Sequence, residues 1–335
     1  MANKLSRSTE HSMLVRVLTS LAFALLTVPC AILGGWFMVG LSLVLVGFGS
    51  YELLTMPRRK FPVAVWIATF VFVYAIVYSQ FFLDADLIRQ FFSSNLIYLN
   101  GLHYSVPLLL LFAYLIVLFL VEFFCRDFSL SDLLYLFVAV FLVSFGFQSI
   151  IYLRFVPDGM AQIAGGAQTI WGGFAYNLTS CLFMWWVLFG VWLSDIGAYF
   201  VGVFFGKHPM NVRISPHKTW EGFAGGVLFS FAFAFIYVAI VNSWLRVPLI
   251  PGVIDVYKDP SDWGWVALFA LMFVSLDNIG GFLFSALKRK YDAKDWGFIL
   301  PGHGGIIDRF DGVMVTSIAA SIVVTLLGNP TSFLA

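Results

Sequence analysis

Nine long apolar stretches follow one another along the chain, separated by short segments that hold most of the charged residues. Each stretch has about 20 residues, the length that an α-helix needs to cross the hydrocarbon of a bilayer. Apolar and polar positions do not alternate as they would in a membrane barrel, so each stretch is predicted to be helical. The predicted spans are 15–34, 36–54, 61–82, 105–124, 130–152, 180–204, 222–243, 264–286 and 306–327.

Composition agrees with this pattern. Of the 335 residues, 61% are hydrophobic and only 11% are charged, whereas a soluble domain carries about 25% charged residues. The apolar stretches continue past the first one, which excludes a lone secretory signal peptide. The chain is therefore predicted to be an all-α, polytopic integral membrane protein with about nine transmembrane helices. The net charge of +1 argues against nucleic acid as a partner.

The distribution of lysine and arginine predicts the orientation of the spans. With the N-terminus on the cytoplasmic side, 15 of the 19 basic residues fall in cytoplasmic segments, as the positive-inside rule requires. This arrangement puts the polar loops 205–221 and 287–305 on the same, cytoplasmic face.

The densest polar stretch covers residues 285–312. The run Lys288-Arg289-Lys290 is also compatible with a simple topology anchor. Asp308 and Asp311 are harder to explain in that way, because carboxylates at the head of a membrane helix are costly unless they are paired or bind a cation. They lie three residues apart and share one helix face. Two such carboxylates suit Mg²⁺.

Glycines surround His303 just before the last predicted helix: Gly302, Gly304 and Gly305. Glycine lets the backbone approach a ligand closely, and a helix N-terminus favours anions. Cations before this turn and carboxylates after it predict a site for a metal-bound polyphosphate. The chain has no GxxxxGK[ST] sequence, so the site is not a P-loop.

The same stretch resembles the signature of the phosphatidate cytidylyltransferase family. The matching positions are Ser285, Leu287, Lys288, Arg289, Lys294, Asp295, Gly297, Pro301, Gly302, His303, Gly304, Gly305, Asp308, Arg309 and Asp311. Residues 194–226 are similar to an earlier segment of that family. The resemblance covers about the C-terminal 40% of the chain. It implies a variable, supporting set of helices over 1–152 and a catalytic region over 153–335.

The resemblance implies the reaction of CTP with phosphatidate to give CDP-diacylglycerol and pyrophosphate, in phospholipid biosynthesis. It also implies Mg²⁺, with a second metal ion left open. The partners would then be CTP, phosphatidate and membrane lipids. The oligomeric state stays open, a homodimer included. The location would be the plasma membrane of a bacterium or the endoplasmic reticulum membrane of a eukaryote.

The resemblance also implies roles for individual residues. Asp308 and Asp311 would bind metal, with Asp195 and Asp277 as further candidate ligands. Gly304 and Gly305 would offer N–H groups, His303 would contact ligand, and Asp295 would bind metal or orient Lys294. Other residues would contact phosphates or substrate: Lys288, Arg289, Lys294, Arg309, Lys218 and Ser285. Glu221 would act as the partner of Lys218.

One position departs from the family pattern. Many members carry an acidic residue four positions before the signature serine, where this chain has Gly281. Asp277 lies one helical turn earlier on the same face and is the candidate substitute. Asp195 is an ionisable residue inside an apolar span, which suggests a functional site, although a structural hydrogen bond between helices would also account for it.

Two other functions remain open at this point. A CTP-dependent lipid kinase would share basic loops and metal-binding carboxylates, but it would release CDP instead of pyrophosphate. A transporter would also carry intramembrane aspartates, although it would not need a glycine turn beside a cation cluster.

Overall fold

A computed structural model describes residues 7–82, 96–99, 102–165, 174–245, 248–250, 254–302 and 304–328. Within these residues the chain forms nine α-helices. They are α1 (Arg7–Leu33), α2 (Gly35–Thr55), α3 (Val63–Phe82), α4 (Val106–Phe124), α5 (Leu130–Gly165), α6 (Phe174–Phe205), α7 (Trp220–Ile240), α8 (Trp263–Lys290) and α9 (Ile307–Gly328).

The nine helices coincide with the nine predicted spans. Seven of them are long and apolar enough to cross a membrane, and α1 and α3 contain the shorter apolar stretches Leu18–Leu33 and Val63–Ser79. The prediction of an all-α, polytopic membrane protein is confirmed. It succeeded because the length and hydropathy of a membrane helix are local properties of the sequence.

Two antiparallel hairpins were not predicted. Strands β1 (Leu96–Leu99) and β2 (Leu102–Ser105) precede α4, and β3 (Pro209–Asn211) and β4 (Ser215–Thr219) connect α6 to α7. At the end of β4 the Thr219 hydroxyl accepts a hydrogen bond from the Gly222 N–H, 3.1 Å away. Thr219 therefore caps α7, as Ser and Thr do at helix starts.

Glycines bring α6 and α7 into close contact. A side chain at Gly197 would meet the Gly225 carbonyl oxygen at 2.7 Å, and one at Gly225 would meet Val201 at 2.5 Å. Small residues at such positions let membrane helices approach closely. The close approach fixes the direction in which α6 delivers the hairpin β3–β4 to the rest of the molecule.

The first two helices are attached to α5 at two places. Arg154 donates hydrogen bonds to the carbonyl oxygens of Ala31 and Ile32, at 2.8 and 3.0 Å. Near the start of α5, the Tyr135 hydroxyl donates to the Leu53 carbonyl at 2.9 Å. The division into a supporting region over 1–152 and a catalytic region over 153–335 stays a prediction.

Candidate functional site

Three aspartates from three helices lie close to one another. Asp277 of α8 is only 3% exposed, and it interacts electrostatically with Asp195 of α6, whose side chain is exposed. Asp311 of α9 interacts electrostatically with both. One oxygen of Asp277, Oδ2, is buried with no hydrogen-bond partner among the described residues. We call Asp195, Asp277 and Asp311 the carboxylate cluster. Neighbouring carboxylates repel one another, so a positive charge beside them would stabilise the cluster.

Lys218 brings a positive charge to the carboxylate cluster. The hairpin β3–β4 extends it over the ring of Phe282, with Nζ 5.2 Å from the ring centroid. Its charge acts on both Asp277 and Asp311. The loop 205–221 and helix α8 thus supply opposite charges to one site.

The position of Lys218 gives a physical account of Gly281. A side chain at residue 281 would begin 2.6 Å from Lys218 Nζ, so glycine leaves the space that the ammonium group occupies. Asp277 lies one turn away on α8, and the charge of this ammonium group acts on it. The structure therefore brings together Asp277, Lys218 and Gly281, which the sequence could relate only through the family pattern.

Glu221 holds the base of the hairpin β3–β4 together. Its carboxylate accepts hydrogen bonds from the backbone N–H groups of Lys207 and His208, at 3.1 and 3.2 Å, and lies 2.5 Å from His208 Nδ1. These contacts close the base of the hairpin that carries Lys218. A role for Glu221 in binding substrate stays a prediction.

Asp308 has different partners from Asp311, although the sequence grouped the two. Asp308 Oδ1 accepts a 2.6 Å hydrogen bond from Lys288 Nζ. Its Oδ2 accepts from the N–H groups of Trp296 and Gly305, at 2.8 and 3.0 Å. Both carboxylate oxygens of Asp308 are therefore engaged, one by Lys288 of α8 and the other by the 291–306 loop. Its assignment as a metal ligand stays a prediction, and the geometry favours Asp311 for that role.

The glycine turn has the backbone conformation that glycine allows. Gly302 and Gly304 have φ values of +76° and +86°, in the region that L side chains rarely adopt. Gly305 donates its N–H to Asp308, so a phosphate could use that N–H only after this bond broke. His303 lies outside the described residues, and its predicted contact with ligand is untested.

The remaining predicted residues line the surface near the loop. Arg289 is exposed and donates to the Ala293 carbonyl at 2.9 Å. Lys294 and Arg309 are also exposed, while Ser285 and Asp295 are half-buried. Exposed cations around a carboxylate site favour the approach of anions. Their individual roles stay predictions.

Glu52 was missed in the sequence. It is fully buried near the end of α2. Its two oxygens accept hydrogen bonds from the N–H groups of Ile306 and Ile307, at 2.8 and 2.9 Å. The available signal was a lone carboxylate inside an apolar span, which marks a functional candidate. Its partners lie more than 250 positions away, which no local pattern reveals.

A second cluster holds the same end of the bundle together. Asp132 of α5 accepts from Arg59 at 3.0 Å and from the Tyr291 hydroxyl at 3.2 Å. Burial, with the neighbouring Asp132 carboxylate, raises the pKa of Tyr291, so its hydroxyl stays protonated and donates at neutral pH. These bonds attach the start of the 291–306 loop to α5.

The residues present fit a magnesium ion whose coordination shell would be completed by substrate. No three His, Cys, Asp or Glu side chains of the described ranges have the arrangement of a ready-made metal site. Mg²⁺, however, usually takes one or two carboxylates together with substrate phosphates and water. Asp277 and Asp311, with Asp195 beside them, offer such a partial set, and the unpartnered Asp277 Oδ2 is a suitable donor.

Replacing Lys218 with methionine, which keeps much of the side-chain volume, should test its place in the site. The carboxylate cluster would lose a compensating positive charge, and any phosphate bound there would lose a charge-assisted contact. We expect kcat/KM for a phosphate-containing substrate to fall about 100-fold. The exposed Lys258 in the loop before α8 provides the control, Lys258→Met, and equal activities of the two variants would contradict the assignment.

Comparison with known proteins gives a family and a group of relatives. Residues 14–327 match the Cytidylyltransferase family. The chain is 40% identical over 142 residues to a phosphatidate cytidylyltransferase of Mycobacterium bovis, covering 42% of this chain and 40% of that protein. The corresponding protein of Bacillus subtilis is 41% identical over 124 residues, 37% of this chain and 40% of the relative. That of Thermotoga maritima is 37% identical over 141 residues, 42% of this chain and 48% of the relative. The matched segments therefore span less than half the length of these relatives.

Proposed function

Because the chain belongs to the cytidylyltransferase family, we propose that it is a phosphatidate cytidylyltransferase, which converts CTP and phosphatidate to CDP-diacylglycerol and pyrophosphate. The relatives named above carry that activity in their names. The observation that carries the proposal is the meeting of Asp195, Asp277 and Asp311, two of which feel the charge of Lys218.

The proposed reaction is a displacement at phosphorus. A phosphate oxygen of phosphatidate attacks the α-phosphorus of CTP, and a new P–O bond forms. The bond between the α-phosphorus and the oxygen that bridges to the β-phosphate breaks, and the electron pair leaves with pyrophosphate. The phosphate monoester is already ionised near neutral pH, so the site needs no strong general base.

The chain's own contribution is then charge and position. Two anionic substrates must be brought together, and the negative charge of the leaving pyrophosphate must be stabilised. Lys218 would neutralise phosphate oxygens inside the bundle. The exposed Arg289, Lys294 and Arg309 would attract the nucleotide at the surface.

A metal ion fits the same site. Asp277 and Asp311 would hold Mg²⁺, with Asp195 as a further ligand. When bound, the ion would neutralise and orient phosphate oxygens. The carboxylates by themselves would repel both substrates, which makes a bound cation necessary for this function.

An apolar cavity supports a lipid substrate, because it offers a surface for hydrocarbon chains. Phe147 and Leu45 line it together with Phe310 and Trp192. Phe310 precedes Asp311 in the sequence, and Trp192 is one helical turn from Asp195 on α6.

The proposed location follows the same reasoning. The relatives are bacterial proteins, and a multi-pass protein of this kind would lie in the cell membrane. A site on the cytoplasmic face would meet CTP from the cytoplasm and phosphatidate from the bilayer.

Turnover of labelled CTP by the purified protein tests the proposal. We expect CDP-diacylglycerol and pyrophosphate only when phosphatidate and Mg²⁺ are both present. Release of CDP with a phosphorylated lipid would instead establish a lipid kinase. Solute flux in vesicles without turnover of CTP would establish a transporter.

A further inference from the structure

We propose that Glu52 is a positioning residue, whose carboxylate anchors the glycine turn and the first turn of α9 to α2. Through this anchor it sets where Asp308 and Asp311 stand relative to Lys288 and Asp277. The proposal rests on the proposed function for its catalytic consequence, but its structural part can be tested separately.

Glu52 accepts hydrogen bonds from the backbone at the start of α9. The leading N–H groups of a helix have no partner within the helix. At α9 two of these groups, those of Ile306 and Ile307, donate to the two oxygens of Glu52. The carboxylate also interacts favourably with the positive end of the helix dipole. The anion at this helix N-terminus is therefore supplied by the chain, and a nucleotide phosphate would bind elsewhere.

Two glycines leave the space that the Glu52 carboxylate occupies. A side chain at Gly305 would begin 2.6 Å from Glu52 oxygens, and one at Gly297 would begin 2.8 Å from Oε1. These distances are shorter than ordinary van der Waals contact. The Glu52 carboxylate, held by two hydrogen bonds, thus occupies the space beside two glycines of the 285–312 stretch.

The segment that Glu52 anchors carries Asp308 and Asp311. Gly305 donates to Asp308, which pairs with Lys288, and Asp311 lies one turn further along α9. A shift of the first turn of α9 would therefore move one aspartate of the carboxylate cluster and the buried ion pair together. Misplacement by about 1 Å is enough to reduce turnover strongly.

A double-mutant cycle between Glu52 and Gly305 tests the anchor in the metal-free protein. Gly305→Ala should lower the midpoint of thermal unfolding by roughly 3–6 °C, because the new methyl group collides with the carboxylate. In a Glu52→Ala background the space is open, and the same change should cost about 1 °C or less. In a Glu52→Gln background the collision remains, and the full cost should persist.

Gly264→Ala provides the matched control, since a side chain at Gly264 meets nothing within 4 Å. Should Glu52→Ala fail to assemble, Glu52→Ser opens the same space. A Gly305→Ala variant as stable as Gly264→Ala would overturn the proposal. So would a cost at Gly305 that stays the same after Glu52 is truncated.

The catalytic consequence is read from turnover of CTP with phosphatidate. Glu52→Ala should lower kcat about tenfold or more, with a smaller change in KM for CTP, and Glu52→Gln should recover part of kcat because one oxygen still accepts. Unchanged kcat in a folded Glu52→Ala variant would contradict the positioning role. If the wild-type protein itself failed to turn over, the proposed function would fall, while the unfolding cycle would still decide the anchor.

Discussion

Replacing Asp277 with asparagine is expected to lower kcat of the proposed reaction about 1,000-fold. Asp277 is the most buried member of the carboxylate cluster, and its Oδ2 has no hydrogen-bond partner among the described residues. Asparagine keeps the shape of the side chain but removes the charge that would hold a cation.

The same substitution should leave stability intact. In the metal-free protein, the buried Asp277 lies near the like charges of Asp195 and Asp311, so removing its charge should leave the unfolding temperature unchanged or raise it. Added Mg²⁺ should raise the unfolding temperature of the wild type, as any ligand of the native state does, and should raise that of Asp277→Asn much less.

Asp127, exposed in the segment between α4 and α5, supplies the control variant Asp127→Asn. Both the rate and the response to Mg²⁺ should be those of the wild type. An Asp277→Asn variant with normal Mg²⁺-dependent turnover would remove Asp277 from the metal site.

The second large effect is expected at Asp308, and it should be an effect on stability. Asp308→Ala would leave the Lys288 ammonium group without its partner in a place where the two side chains are only 10% and 7% exposed. It would also leave the N–H groups of Trp296 and Gly305 without their acceptor. Breaking a buried pair in this way costs about 3–5 kcal/mol of unfolding free energy, measured by denaturant unfolding in detergent.

A second variant separates this role from metal binding. Asp308→Asn keeps an acceptor oxygen and should be less damaging than Asp308→Ala. We expect it to retain the rise in unfolding temperature on addition of Mg²⁺. Combining Asp308→Asn with Lys288→Met removes both charges and should recover part of the lost stability. Loss of the Mg²⁺ response in Asp308→Asn would instead support the assignment of Asp308 to metal.

The contrast between Asp308 and Asp311 shows where sequence reasoning was limited. A spacing of three places both residues on one broad face of a helix, and from this a shared metal role was predicted. In the folded chain that face meets two different surroundings. Asp308 hydrogen bonds to Lys288 and to the loop. Asp311 also feels the charge of Lys288, but it interacts in addition with Asp195, Asp277 and Lys218.

Gly305 also has different partners in the structure from those that the sequence suggested. The sequence suggested that this glycine offers its N–H group to a phosphate. The N–H is donated to Asp308, and the missing side chain leaves room for Glu52. A glycine in a motif has several physical explanations, and only the neighbours in space distinguish them.

The membrane architecture and the family could be predicted from the amino-acid sequence. Span length, hydropathy and the 285–312 motif are contiguous features, and each can be recognised without knowing what it packs against. The tertiary structure alone decided which polar groups meet: Glu52 with the start of α9, Lys218 with the space at Gly281, and Asp195 with Asp277. These partners are far apart in the chain, and their contact depends on how the helices pack, which local patterns do not encode.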